Sequence, residues 1–375
     1  MSRAADKWVF FSAFPPFRGG IAKFSTHTLR ALSKSKNVKS FTFRKQYPNF
    51  LFPGSSQFEQ NATDEPFERI VSTFNPFSYL SSALRLRKEK PTVFITSYWM
   101  TFMAPMMAFW TLFLPRRTQK VAIIHNLVPH EKRFFDAAFN RIFLRSYDAF
   151  VVLSEAVRKD VLQLKPNAKV ALLGHPPYEG EAGSISKEDA RGALSLDPQK
   201  KTILFFGLIR PYKGLSELIA AFSLLDDNYQ LLIAGEVYGT AEYYIEALNA
   251  LPNQNWKFVN RYLADAEVDT YFAAADIVVL PYLSATQSGI RAMALSQKRA
   301  VLCTNVGGLA EGLEQEGHGF ELHNTAPEYF AERMQSLFNQ GDISKCNAHL
   351  AALNLDLDEA WLSFAKGLIH LVEEA

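Results

Sequence analysis

Ile203-Leu-Phe-Phe-Gly-Leu-Ile-Arg-Pro-Tyr-Lys-Gly-Leu-Ser-Glu217 joins two kinds of local structure across a short turn. The run up to Phe206 is β-branched and aromatic, as a buried strand requires. After Gly214, the residues Leu215, Leu218, Ile219 and Phe222 recur at helical spacing. Between them Arg210 and Lys213 stand three apart on a turn pinned by Pro211 and Gly214. A strand feeding a helix through such a turn aims backbone N–H groups and a helix N-terminus at one point. A guanidinium and an ammonium added there make a receptor for a dense anion, and a diphosphate is the fitting guest. Two solvated cations on a surface turn would show the same spacing.

Outward from this stretch, strand and helix signals alternate along the whole chain, which argues for α/β architecture with parallel sheets covered on both faces. At 375 residues the chain exceeds what one core usually serves, so two domains are expected. The first half predicts strands at 8–12, 40–43, 93–96, 121–125, 150–153 and 170–173. Its helices are expected at 21–32, 76–87, 132–146 and 155–164. Pro176, Pro177 and several glycines then break the pattern and read as a linker. The second half predicts strands at 203–206, 230–234, 257–259, 277–280 and 300–303, with helices at 215–225, 241–251, 266–274, 290–296 and 327–339. Residues 358–374 are helical. The divisions are 1–175, 176–355 and a final helix in 356–375.

Cys303 and Cys346 supply neither a disulfide framework nor zinc spacing, and a reducing cytoplasm fits. The first apolar run, Trp8 to Phe14, is stopped by Pro15 and Pro16 and is too short for a secretory signal core. The uncharged run from Tyr98 to Pro115 is about as long as a marginal membrane span. Pro105 and the flanking strand signals favour a buried helix instead, although its methionines and tryptophans could let one face touch lipid. Charge is divided unevenly. Residues 1–176 hold 26 Lys and Arg against 11 Asp and Glu, net +15; the remainder holds 14 against 27, net −13, which together give the overall +2. A basic half implies an anionic partner, with a lipid surface or nucleic acid as candidates. No RNA or DNA module accompanies the charge, so nucleic acid is not expected. Arg85, Arg87, Lys88, Lys90, Arg116, Arg117, Lys132, Arg133, Arg141 and Arg145 are the candidate lipid-facing cations. Trp99, Trp110, Phe134 and Phe135 are the aromatic residues among them.

Downstream lie Ala273-Ala-Ala-Asp276-Ile-Val-Val-Leu-Pro281-Tyr-Leu-Ser-Ala-Thr286-Gln287-Ser288-Gly289 and Arg299-Ala-Val-Leu-Cys-Thr-Asn305-Val-Gly307-Gly308-Leu-Ala-Glu311. With the turn at Arg210, their order resembles the retaining GT-B glycosyltransferases of family 4. The Ala-Thr-Gln-Ser-Gly loop, with Tyr47 to Gly54, His125-Asn126 and Pro129-His130-Glu131, resembles a bacterial subgroup of that family. The resemblance implies two doubly wound Rossmann-like domains facing a crevice, with the last helix crossing back to the first domain. It implies a UDP- or GDP-sugar donor held by the second domain and a glycan or lipid-linked acceptor on the first.

Arg210 and Lys213 match the family's diphosphate pair, and Gly207 ends the strand before them. In such a site positive charge at the departing phosphates matters more than a strong base. No metal or other cofactor is then expected, since side chains take the role of Mg²⁺. Asp356-Leu-Asp358 fits a metal motif only formally and reads as a surface pair. Helix-start N–H groups near Gly289 would add donors. Gly19-Gly20 corresponds to the family's glycine loop, though an ordinary turn is an equal reading. His125 corresponds to a histidine near the donor sugar; a structural histidine is the alternative. For Glu131 helix capping serves as well. Asn260, Arg261 and Tyr262 would meet the base, with Glu236 facing the same crevice; none tells uridine from guanosine.

One departure stands out. The family's ribose-binding glutamate falls on Met293, which cannot accept a hydroxyl hydrogen bond. Thr286-Gln287-Ser288 stands where the family's first glutamate usually lies; Gln287 and Ser288 are the replacement polar contacts for the donor, and Arg291 could reach a phosphate or be solvated. Two functions remain open: a transferase working at the cytoplasmic membrane face, or a GT-B protein that binds a nucleotide-sugar or a partner without turnover. A nucleotide-sugar epimerase would share the fold but not the Arg-x-x-Lys turn.

Overall fold

The computed structural model describes residues 6–47, 56–58, 67–129, 133–178 and 184–374. The chain divides into two compact units, Met1–Pro176 with Asp358–Ala375, and Pro177–Leu357.

The first unit contains β1 (Lys7–Phe11), α1 (Gly20–Ser33), β2 (Asn37–Lys45), β3 (Glu68–Ser72), α2 (Pro76–Lys88), β4 (Val93–Tyr98), α3 (Ala104–Thr111), β5 (Gln119–Ile124), α4 (Asp136–Ser146), β6 (Ala149–Val152), α5 (Glu155–Leu164) and β7 (Lys169–Leu172). Its sheet runs β3-β2-β1-β4-β5-β6-β7, and the pairings are parallel. Strands β4, β5 and β6 are buried almost throughout, which explains their continuous apolar sequences. The apolar run after β4 forms α3, and Pro105 lies in its first turn, where a missing N–H costs little. Met103, Met106, Met107 and Trp110 are buried, and the Trp110 indole donates to Ser82 Oγ at 2.8 Å. The expectation that Trp110 meets lipid is therefore corrected. Among the described residues no helix is long and apolar enough to cross a membrane.

The second unit contains α6 (Lys187–Ala193), β8 (Lys201–Phe206), α7 (Leu215–Phe222), β9 (Tyr229–Ala234), α8 (Glu242–Asn249), β10 (Trp256–Val259), α9 (Asp265–Ala274), β11 (Ile277–Leu280), α10 (Gly289–Ser296), β12 (Ala300–Thr304), β13 (Gly319–Leu322), α11 (Pro327–Asn339) and α12 (Asp342–Ala352). Its parallel sheet runs β10-β9-β8-β11-β12-β13. Both sheets are doubly wound, with the strand order reversing between β1 and β4 and between β8 and β11.

The last helix, α13 (Leu357–Glu373), returns to the first unit. Trp361 and Phe364 pack edge-on against Phe24 of α1, and the His27 ring stacks on Trp361 at 4.9 Å. Gln119 at the start of β5 donates to the Val372 carbonyl at 2.8 Å.

Candidate active site

In the second unit the reversal of strand order leaves the ends of β8 and β11 as neighbours, and the two loops beyond them are locked together. Gly214 has φ 73, and a Cβ there would lie 1.9 Å from the Pro281 carbonyl oxygen, so only glycine lets the turn close on β11. The Leu283 N–H donates to the Tyr212 carbonyl at 2.7 Å. Further along, a Cβ at Gly307 would strike the Ala285 carbonyl oxygen, which pins the loop from the other side.

Arg210 and Lys213 flank this junction around the single helical turn Pro211–Lys213. The Arg210 guanidinium lies 5.0 Å from the Tyr238 ring, and Lys213 Nζ lies 5.3 Å from the Tyr282 ring. Neither cation has a carboxylate or hydrogen-bond partner among the described residues. Both are partly buried. Burial pushes the Lys213 ammonium below the usual lysine range, and the neighbouring Arg210 charge acts in the same direction. Gly207, with φ 100, ends β8 beside them: a Cβ there would come within 3.0 Å of Ile290 and 3.7 Å of Lys213 Nζ. Lys213, Gly207 and the first turn of α10 thus share one corner.

Ser288 caps α10, its hydroxyl accepting from the Ile290 and Arg291 N–H groups at 3.2 and 3.4 Å. Those two N–H groups, expected as free donors beyond Gly289, are engaged by the cap. Gln287 Oε1 is buried without a partner among the described residues. Thr286 lies partly buried between Ala285 and Gln287. Arg291 donates to the Leu309 carbonyl at 3.0 Å. Met293 packs against the core that includes Leu204, Phe206 and Cys303.

The loops after β9 and β10 meet as well. Asn260 Oδ1 accepts the Val237 N–H at 2.9 Å, and the Glu236 carbonyl accepts from Ile209. The Arg261 guanidinium pairs with Glu267 and touches the Tyr262 carbonyl at 3.3 Å. Asn260 and Arg261 are therefore occupied within the unit. Tyr238 and Tyr282, which lie under the two cations, had not been singled out from the sequence.

In the first unit Gly19 and Gly20 form the entry to α1, and Gly19 has φ 104. Nothing lies within 4 Å of a Cβ built at Gly19, so the backbone angle, not close packing, calls for glycine. His125 directly follows β5, its N–H donating to the Tyr98 carbonyl at 2.9 Å. Its ring is buried and meets Phe24 edge-on at 4.7 Å. Burial pushes the His125 pKa down to about 3, with His175 adding to the effect, so the ring is neutral at pH 7. His130 and Glu131 lie outside the described residues, as does most of the stretch from Tyr47 to Gly54. Among the described residues no group of three His, Cys, Asp or Glu side chains is placed to hold a metal ion.

Comparison with known proteins agrees with this architecture. Residues 186–349 match the family described as glycosyl transferases group 1, and residues 19–175 match the glycosyl transferase 4-like domain. A glycosyltransferase assigned to teichuronic acid biosynthesis in Bacillus subtilis is 24% identical over 194 residues, 52% of this chain and 47% of that protein. Anabaena HepE, solved with UDP, superposes with a TM-score of 0.75 at 14% identity, covering 98% of this chain and 100% of that one. Sucrose-phosphate synthase from Thermosynechococcus elongatus gives 0.72 at 17% identity, covering 98% of each chain. Together the two domain matches cover most of the chain and, with these relatives, support a GT-B glycosyltransferase of the family 4 type. It spans 47%, 62% and 35% of the length of the first three curated relatives it matches.

Proposed function

We propose that this protein is a retaining glycosyltransferase that moves a sugar from a UDP- or GDP-sugar to a glycan or lipid-linked acceptor at the cytoplasmic membrane face. The observation that carries the reading is the pair Arg210 and Lys213, held at the end of β8 with no counter-ion among the described residues. HepE, a structural neighbour, has been solved with UDP and with UDP-glucose. A diphosphate seated on this turn would meet a guanidinium fork and an ammonium whose desolvation is relieved by the anion. As the bond to the sugar breaks, charge builds on the leaving phosphate, and fixed cations stabilise that state more than the intact donor. No strong base is needed for this step. His125, neutral in its buried position, can offer a hydrogen bond but no charge. Gln287 Oε1 offers an acceptor close to α10, where Met293 offers none.

Lys213→Ala should slow release of the nucleoside diphosphate on the order of a hundredfold, by analogy with the loss of one oxyanion donor. The assay is to be run in EDTA, where wild-type activity should persist if these side chains replace a metal. Wild-type turnover by Lys213→Ala would remove the assignment.

The second reading is a nucleotide-sugar-binding protein without turnover, favoured by the apolar packing of Met293. Calorimetric titration separates the two. Donor binding with no release of diphosphate would establish the binding protein.

A further inference from the structure

We propose that the first unit docks on an anionic lipid bilayer through the outer face of α2 and the end of α3. Phe74, Phe77, Leu80 and Leu84 are exposed, Phe77 at 90%, and the last three follow the i, i+3, i+7 spacing of one helix face. The opposite face of α2 is already used: Ser78, Ser82, Ala83 and Leu86 are buried, and Ser82 meets Trp110. Leu112, just past α3, is 78% exposed. Helix α2 also packs on α3, so both apolar features belong to one layer. A row of large apolar side chains left in water marks an interaction surface.

Charge selects the occupant. From Thr73 to Thr118 the sole acidic residue is Glu89. It is buried and bound by Lys7, Lys39 and Arg85, and the neighbouring Glu68 of β3 is paired with Arg85 as well, so each of these two carboxylates is held by cations. Arg87, Lys88, Lys90, Arg116 and Arg117 are exposed and have no ion pair among the described residues. The Thr118 hydroxyl donates to the Pro91 carbonyl at 2.7 Å, which brings the Arg116–Arg117 turn beside the end of α2. An apolar stripe on a single helix, ending in unpaired cations, suits the boundary between acyl chains and anionic headgroups. Its described carboxylates, Glu68 and Glu89, are already paired with Arg85, which leaves the exposed cations to meet phosphate.

The placement also fits a lipid-linked acceptor. The strands are parallel, so Phe74 and Phe77, just after β3, lie at the same sheet edge as Gly19 and His125. This inference rests in part on the proposed acceptor class, but its test does not require turnover.

The full chain is sedimented with vesicles of equal parts phosphatidylglycerol and phosphatidylcholine, and with phosphatidylcholine alone. It should pellet with the mixed vesicles, stay in solution with the neutral ones and release as salt rises. The double variant Phe77→Ser/Leu84→Ser should lose partitioning on the order of tenfold or more, since both side chains enter the interface. The quadruple variant Arg87→Gln/Lys88→Gln/Arg116→Gln/Arg117→Gln should lose the distinction between vesicle types. Lys213→Ala should pellet like wild type, so failure of docking and failure of the transfer reading are seen separately. Wild type that ignores anionic vesicles, or a double variant that binds as well as wild type, would overturn the proposal. So would a dimer in solution that Phe77→Ser dissociates, because the stripe would then be a self-contact.

Discussion

At the scale of single residues, the cationic pair was legible because proline and glycine bracket it and fix the turn. Its aromatic floor was not, since Tyr238 and Tyr282 reach the cations only through tertiary contacts. Arg261 shows the same limit: its pairing with Glu267 depends on how the loop after β10 enters α9. His125 yields a prediction at this scale. Its folded pKa of about 3 lies below the ordinary 6.5. The folded state therefore binds fewer protons than the unfolded state between those values, and stability rises with pH there. The contribution is complete above pH 6.5 and is lost as pH falls towards 3; at pH 5 the loss is about 2 kcal/mol. Thermal melts at pH 7 and pH 5 should show the drop in wild type and a smaller one in His125→Gln. Equal drops would place the proton elsewhere.

At the scale of elements, the strands at the centre of each sheet announced themselves as unbroken apolar runs. Strands β3 and β13 did not. Each is an edge strand with mixed burial, so neither alternation nor a continuous run marks it. β13 begins at Gly319, where a Cβ would meet the Val301 carbonyl oxygen at 2.1 Å, and such close approach has no sequence signature beyond the glycine itself. Helix α6 was missed because it is short and highly charged, though Ser186 caps it through the Asp189 N–H. The apolar run around Pro105 was ambiguous between core and lipid, and burial of its methionines decided for core. Capping gives the prediction here. Ser288→Ala should cost about 1 kcal/mol of stability, the usual value of an N-cap hydroxyl. Denaturant unfolding measures it, and an unchanged midpoint would show that the cap contributes nothing.

At the scale of the whole chain, alternation of strands and helices made two doubly wound units legible. What composition could not supply was the partner of the final helix, because the aromatic contacts of Trp361 and Phe364 with Phe24 link residues more than three hundred positions apart. A chain ending at residue 356 should therefore lose stability in the first unit and leave the second intact. Calorimetry would show one transition moved down by several degrees, about what a few kcal/mol produce in a unit of this size. Two unshifted transitions would mean that α13 is dispensable. The return of the chain to its first unit also sets an order of events at the ribosome. Translation delivers every strand of the first sheet early, then the whole of the second unit, and only at the end the segment that covers Phe24. A nascent chain must carry that uncovered aromatic patch through the synthesis of some 180 further residues. Chaperone demand should accordingly be greatest late in elongation and should fall when α13 clears the exit tunnel.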